Sequence, residues 1–402
     1  MRRRAHARRL AVTWDAVIVG AGPAGSVTAL LLARAGASVL LLDRARFPRD
    51  KPCSEYLSPA TTTILERLGD GVLPEVERAA HAKLYGMKVV APSGVAMVGR
   101  FRSGPRPYSF ALPRTVFDTV LVNAAARAGA DVRQGVTVED LTWDRGSVAG
   151  VVARTGNGQR GTCNGRVVIG ADGLHSVIAR RLGLIRTSPP RRVAFSAHVG
   201  DVAGVDAIGE LHVRRNGYVG LGPIGGGMTT VALVVPVAAV RARERDFRGE
   251  FFAELDRFPG LAGRFDPRRV ERGVLATGPF AQWSRMAAVP GALLVGDAAD
   301  FFDPFTGQGI HAALRGAELA AECLISKSGL RSYARARRRE FAGKWLLERL
   351  IAVGVGSPAL TNRVVGRLAR RPELADLVVS ATGNLVPARR VLGPRVLARL
   401  LW

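Results

Sequence analysis

From Trp14 to Gly20 the chain reads W-D-A-V-I-V-G, an unbroken apolar run of the kind that fills a strand covered on both faces. It leads into G-A-G-P-A-G and then S-V-T-A-L-L-L-A-R-A-G, whose spacing predicts a helix stopped by Gly36. S-V-L-L-L-D follows as a second buried strand closing on Asp43. Beyond it the periodicity lapses. The prolines and serines of R-A-R-F-P-R-D-K-P-C-S-E-Y-L-S-P-A predict an ordered loop. A helix is expected near Thr61–Leu68, strands at Leu84–Ala91 and Val95–Phe101, and an amphipathic helix over Arg114–Ala128. Strands follow at Asp131–Arg133, Val136–Trp143, Val148–Arg154 and Arg166–Gly170.

The second half changes character. Between Pro189 and Gly273 the runs R-V-A-F-S-A-H-V, G-Y-V-G-L-G-P-I and T-T-V-A-L-V-V-P-V predict strands of a second sheet, with a helix over Arg241–Leu255. A short buried strand at Ala292–Val295 enters G-D-A-A-D-F-F-D-P-F-T-G-Q-G-I, and a helix follows. The remainder reads as helices broken at Pro358, Pro372, Pro387 and Pro394. This order predicts an α/β fold. A discontinuous Rossmann-like domain would take residues 12–50, 110–185 and 275–335. An inserted, mostly antiparallel β-sheet substrate domain would take 51–109 and 186–274, leaving a helical C-terminal region, 336–402.

Composition narrows the classes. The 402 residues hold 58 Lys+Arg against 33 Asp+Glu, a formal charge of +25, and Lys51, Lys83, Lys88, Lys327 and Lys344 are the only lysines. Such a charge suits an anionic partner or reflects an arginine-biased genome. Nucleic acid is not expected, since no recognition module is visible and aromatics make up only 6%. Cys53, Cys163 and Cys323 are scattered and odd in number, which points to a reducing compartment without structural zinc. The histidines His175, His198, His212 and His311 show no metal-ligand spacing, so no metal is expected. M-R-R-R-A-H-A-R-R-L resembles the charged part of an export signal, but the next apolar run leads straight into the glycine motif, so a cytoplasmic protein is expected.

Strand, glycine turn, helix and strand-end acid together make the first motif a dinucleotide site. Gly20 permits the turn, Gly22 lets backbone approach a pyrophosphate, and Gly25 allows close helix–strand packing. Asp43 would accept from ribose hydroxyls. Two further strand-end motifs follow in order: A-D-G-L-H-S with Asp172, and V-G-D-A-A with Gly296 and Asp297, continuing to P-F-T-G-Q-G-I.

This series resembles the flavoprotein superfamily of p-hydroxybenzoate-type hydroxylases, geranylgeranyl reductases and flavin-dependent halogenases, over roughly residues 14–322. The resemblance implies a glutathione-reductase-type FAD-binding domain, with NADPH or NADH as transient electron donor. By it, Gly20, Gly22, Ala24, Gly25, Asp43 and Arg44 hold the ADP half of FAD and Arg114 lies near the pyrophosphate. Asp172 touches the FAD chain, and Asp297, after Gly296, meets the ribityl chain. Pro304, Gly307, Gly309 and Ile310 belong to the loop beside the isoalloxazine ring.

On the substrate side, K-P-C-S-E-Y-L-S-P resembles the K-P-C-G-G-x-L-S-P loop of the reductases and a C-G-E-x-x-S-P loop of some monooxygenases. Cys53 would then lie near the flavin ring, as a proton donor or as a buried apolar residue. G-Y-V-G-L-G-P aligns loosely with a reductase strand; Tyr218 would line the pocket, while Gly220 and Gly222 leave room for a bulky substrate. The leading expectation is an NAD(P)H-dependent monooxygenase hydroxylating or epoxidising a hydrophobic or aromatic small molecule through C4a-hydroperoxyflavin, with carrier- or lipid-linked substrates in reach. The alternatives are a geranylgeranyl-reductase-like enzyme saturating C=C bonds of an isoprenoid or lipid, and a non-catalytic FAD-binding protein. The basic, apolar tail L-V-P-A-R-R-V-L-G-P-R-V-L-A-R-L-L-W suits peripheral contact with an anionic membrane or packing over the substrate domain.

Overall fold

The computed structural model describes residues 13–102, 104–240 and 247–401. The N-terminal basic segment, the start of the helix expected over Arg241–Leu255, and Trp402 lie outside the described residues.

The apolar runs form a parallel sheet. Its order is Ala292–Leu294, Arg160–Gly170, Thr13–Val19, Val39–Asp43 and Asp131–Gln134, with Ala288–Val289 added antiparallel at one edge. In register, Ile18 faces Leu41 on one side and Ile169 on the other, all fully buried. Helix Pro23–Arg34 covers one face, packed against helices Arg114–Arg127 and Gly309–Ile325. Because the strands run in one direction, Gly20, Asp43, Asp172 and Gly296 gather at their C-terminal ends, where ligands of such sheets bind.

Arg160–Gly170 is longer than its apolar pattern predicts. Its exposed first half pairs antiparallel with Ser147–Thr155, which in turn pairs with Val136–Asp144, so main-chain pairing extends the strand where side chains carry no signal.

The second sheet has seven strands in the order Val270–Thr277, Arg192–Gly200, Met228–Pro236, Gly217–Gly225, Gly209–Arg214, Gly86–Val90 and Ala96–Arg100. Only the pairing of Gly209–Arg214 with Gly86–Val90 is parallel. The loop after Asp43 contains a feature absent from the periodicity: Tyr56–Leu57 pairs with Ser109–Ala111. This tethers K-P-C-S between the two large sheets.

The C-terminal helices Pro358–Ala369 and Pro372–Thr382 pack on the edge strand Ala96–Arg100. The contact is close: a Cβ on Gly99 would lie 2.5 Å from the Ala375 carbonyl oxygen. In the tail, Val391 and Leu400 are buried, and Leu392, Val396 and Leu397 pack against the same core. The apolar side chains that suited a membrane therefore pack into the core beneath the seven-stranded sheet. Among the described residues no helix is long and apolar enough to cross a membrane.

Candidate active site

A cavity of about 240 Å³ lies between the C-terminal ends of the parallel strands, the seven-stranded sheet and helix Leu330–Val355. One end of it is largely backbone, at Gly296, Gly307 and Gly309; Gly20, Gly22, Ala24, Gly25, Asp43 and Arg44 are not in its wall, which the glycine turn reaches only through Pro23. Gly20 has φ +99°, and a Cβ there would lie 2.5 Å from the Ala171 carbonyl oxygen. A Cβ on Gly25 would lie 1.8 Å from the Gly20 carbonyl oxygen, so both positions admit only glycine. Gly22 differs: its conformation is extended, and its nearest neighbour would be the Arg49 guanidinium at 3.4 Å. That side of the loop is open to a ligand.

Asp43 is oriented by two amides, accepting from Ala21 N at 2.7 Å and Ala45 N at 2.8 Å. Arg44 beside it is exposed. Arg114 is buried and forks onto Asp118 at 2.7 and 2.8 Å, and Arg49 reaches the same carboxylate at 3.1 Å. The pair with Asp118 is an i,i+4 contact on one helix face.

Asp172 lies off the cavity wall. It caps helix Val177–Arg181 by accepting from Val177 N at 2.6 Å, while Ser176 Oγ accepts from Ala179 N. The motif is thus a self-capping turn, with Asp172 Oδ1 left buried and unpartnered. Gly296, Asp297, Pro304, Gly307, Gly309 and Ile310 all line the cavity. Asp297 sits 3.9 Å from the Lys51 ammonium; burial raises its pKa and lowers that of Lys51, each opposed by the other's charge. Gly307 has φ +66°, and a Cβ there would lie 2.7 Å from the Tyr56 ring. It delivers the chain to helix Gly309–Ile325, whose N-terminus has no side-chain cap. Helix Pro23–Arg34 is likewise uncapped, so two long helices present free first-turn amides here.

The other end is side chain. Leu84, Met87, Leu211, Tyr218, Phe280 and Phe301 supply an apolar wall, with Gly220 and Gly222 thinning it. Tyr218 is in the cavity as expected, but its hydroxyl donates to Asp303 at 2.6 Å, and burial beside that carboxylate holds its pKa far above the phenol value. Asp303 is held in turn by the buried Arg192 at 2.8 Å. Tyr218 is therefore wall, with no free proton to give.

Cys53 lines the cavity next to Arg114. Burial pushes its thiol pKa up, with the Arg114 charge opposing, so it stays protonated near neutrality. Glu55 follows with φ +58°, where the reductase-like motif has glycine. Its buried carboxylate accepts from Arg114 N at 2.7 Å and meets His198 Nε2 at 3.1 Å. That network replaces what a glycine would leave vacant.

Sequence reasoning missed the floor of the cavity. Arg337, Phe341, Lys344, Trp345 and Glu348 project into it from helix Leu330–Val355. Their spacing puts them on one helix face, the one signal available. Burial lowers Lys344 to about 8, and burial with Asp300 and Asp303 raises Glu348 to about 8.

A family model described as FAD binding domain matches residues 13–340. The chain belongs to this family of FAD-binding flavoproteins. The flavoprotein is 32% identical over 397 residues to menaquinone reductase of Mycolicibacterium smegmatis, covering 92% of each chain. It is 32% identical over 317 residues to digeranylgeranylglycerophospholipid reductase 2 of Methanothermobacter thermautotrophicus, covering 77% of each. Its fold matches that of the flavin-dependent brominase Bmp2 with a TM-score of 0.82 at 20% identity, covering 97% of both chains.

The residues present fit FAD. The open side of Gly22 and the uncapped helix at Pro23 suit a pyrophosphate, and Asp43 keeps acceptor capacity for ribose. Asp297 suits ribityl hydroxyls, and the uncapped Gly309 helix favours the negative charge that builds on a reduced flavin ring.

Proposed function

We propose that this flavoprotein is a reductase that saturates a carbon–carbon double bond in an isoprenoid lipid. The observation that carries the proposal is the junction inside the cavity: a protonated Cys53 thiol meets an apolar wall thinned at Gly220 and Gly222. The names of the two reductase relatives support the same substrate class. Bound FAD, recharged by NADH or NADPH, supplies hydride chemistry at this site.

Saturating the bond takes a hydride on one carbon and a proton on the other. Cys53 Sγ holds the proton, and the thiolate left after transfer is stabilised by the Arg114 charge until water reprotonates it. Arg114 is fixed for this task by Asp118 on the same helix and by Glu55 at its backbone. The leucine, methionine and phenylalanine side chains orient an isoprenoid chain and exclude water.

The second reading, oxygen transfer to an electron-rich substrate, is favoured by Glu55, which matches the acid of the monooxygenase-like loop and is built into the network with His198. One experiment separates the two. The FAD-loaded protein is incubated anaerobically with NADPH or NADH and a polyprenyl quinone, and the product is weighed by mass spectrometry. A gain of two hydrogens that survives reoxidation of the ring in air is expected, because reduction of the quinone ring alone adds two hydrogens that air removes. Cys53→Ala should lower kcat by about a hundredfold with flavin content unchanged. A substrate that stays intact without oxygen, and gains an oxygen atom once air is admitted, would overturn the reductase reading in favour of the second.

A further inference from the structure

Helix Leu330–Val355 has two faces with different duties. Its inner face floors the cavity through Arg337, Phe341, Lys344, Trp345 and Glu348. On the opposite side, Arg335, Arg339, Ala342, Leu346, Leu350 and Val353 succeed one another at steps of three or four residues, which aligns them along one outward stripe.

The stripe is solvated where aliphatic residues are normally covered. Leu346 is 51% exposed, Leu350 48% and Val353 64%. The neighbouring helices behave otherwise: Leu368, Leu374 and Leu400 are at most 8% exposed. Toward the N-terminal end the stripe becomes basic. Arg331, Arg335, Arg338 and Arg339 are all exposed, and none has a carboxylate partner among the described residues. An apolar stripe continued by unpaired arginines on one helix face is the composition of an interfacial helix.

We propose that this outward face docks on an anionic lipid surface. The arginines would meet the headgroups while Leu346, Leu350 and Val353 reach the acyl boundary. A second copy of the chain fits less well, because each copy carries +25 and would bring its own arginine row near the other. Negative headgroups complement the face. The docking surface lies on this helix rather than on the C-terminal segment, whose apolar side chains are already packed inward. The proposal stands apart from the reductase reading: vesicle binding needs no turnover. Together the two place the cavity one helix thickness from the lipid.

The test is co-sedimentation of the full chain with vesicles of phosphatidylcholine alone or mixed with phosphatidylglycerol. Binding is expected to the anionic vesicles only, falling as salt rises. Leu346→Ser, Leu350→Ser and Val353→Ser combined should lower the partition coefficient roughly tenfold. Arg335→Ser with Arg339→Ser should lower it about fivefold per arginine. Arg389→Ser with Arg390→Ser, exposed in the tail, should leave it unchanged. All the replaced side chains are on the surface, so retained flavin absorbance and an unshifted melting temperature verify the fold. Wild-type protein that ignores anionic vesicles would overturn the proposal, as would serine variants that bind normally or a tail variant that loses as much as the face variants. A dimer in sedimentation equilibrium that the aliphatic triple variant dissolves would assign the stripe to a second copy instead.

Discussion

The two ends of the cavity are made of different material. At one end the surface is main chain: Gly296, Gly307 and Gly309 line it, and the uncapped helices Pro23–Arg34, entered through the tight turn at Gly20 and Gly25, and Gly309–Ile325 open there. At the other end it is side chain, drawn from the seven-stranded sheet, the Tyr56–Leu57 bridge and helix Leu330–Val355. Main-chain surfaces recognise what all members of a cofactor class share, phosphates and ring edges. Side-chain surfaces can be recut without disturbing the fold. A shared scaffold can thereby hold one cofactor and serve different chemistries.

The sharpest way to break the first half of that comparison is Gly25→Ala. Its Cβ would lie 1.8 Å from the Gly20 carbonyl oxygen and 3.2 Å from the Ala171 side chain, so strand and helix must part. A loss of about 3 kcal/mol or more is expected, read as a lowered denaturation midpoint, with no retained flavin. Gly22→Ala in the same loop sharpens the contrast. Its Cβ meets only the Arg49 guanidinium at 3.4 Å, an ordinary contact, so stability should change by less than about 0.5 kcal/mol. The FAD dissociation constant should nonetheless rise about tenfold, because the methyl occupies the side left open to the pyrophosphate. Equal losses of stability in the two variants would mean that Gly22 is part of the packing after all.

The side-chain end should respond in the opposite manner. A Cβ on Gly220 would find Leu211 Cδ2 at 3.5 Å, an ordinary contact, so Gly220→Val fits the sheet and fills the cavity. Flavin content and melting temperature should hold. KM for a long isoprenoid should rise about tenfold, while a truncated substrate is less affected. If both substrates suffer alike, the wall at Gly220 is not where chain length is read.

This division also accounts for what the sequence disclosed. Gly20, Gly25, Asp43 and the P-F-T-G-Q-G-I turn are legible because each backbone demand is local and restricts residue choice within a few positions. Asp172 was legible as a motif, but its capping of Val177–Arg181 was not, since capping and cofactor contact ask for the same acid at the same strand end. Lys344 and Glu348 were illegible as site residues. They belong to a helix whose pattern reports only its own periodicity, and which loop it will face is decided by tertiary contacts outside that pattern, such as Thr306 with Glu348, 42 positions apart, and Asp300 with Trp345, 45 apart. Glu55 was visible as a departure from a glycine pair, but its partner His198 lies on a strand of the other sheet.

The smallest effect concerns the ionisable floor. Glu348 titrates at about 8, raised from 4.5 chiefly by burial and then by Asp300 and Asp303, with Lys344 and the Thr306 hydroxyl opposing. The folded chain therefore holds this proton over a range in which the unfolded chain has released it. That contribution to stability is present in full below about 4.5 and is lost as pH rises toward 8. Lys344 works in the next window: lowered to about 8 by burial, it penalises the fold below that pH and the penalty fades between about 8 and 10.5. Glu348→Gln keeps the shape and cannot ionise. Its melting temperature should match wild type near pH 5 and exceed it increasingly up to pH 8, a gain on the order of 1 kcal/mol once the compensation by Lys344 is counted. A difference that stays flat across that range would show that the Glu348 carboxyl ionises normally, and that the floor of the cavity is wetter than its side-chain lining implies.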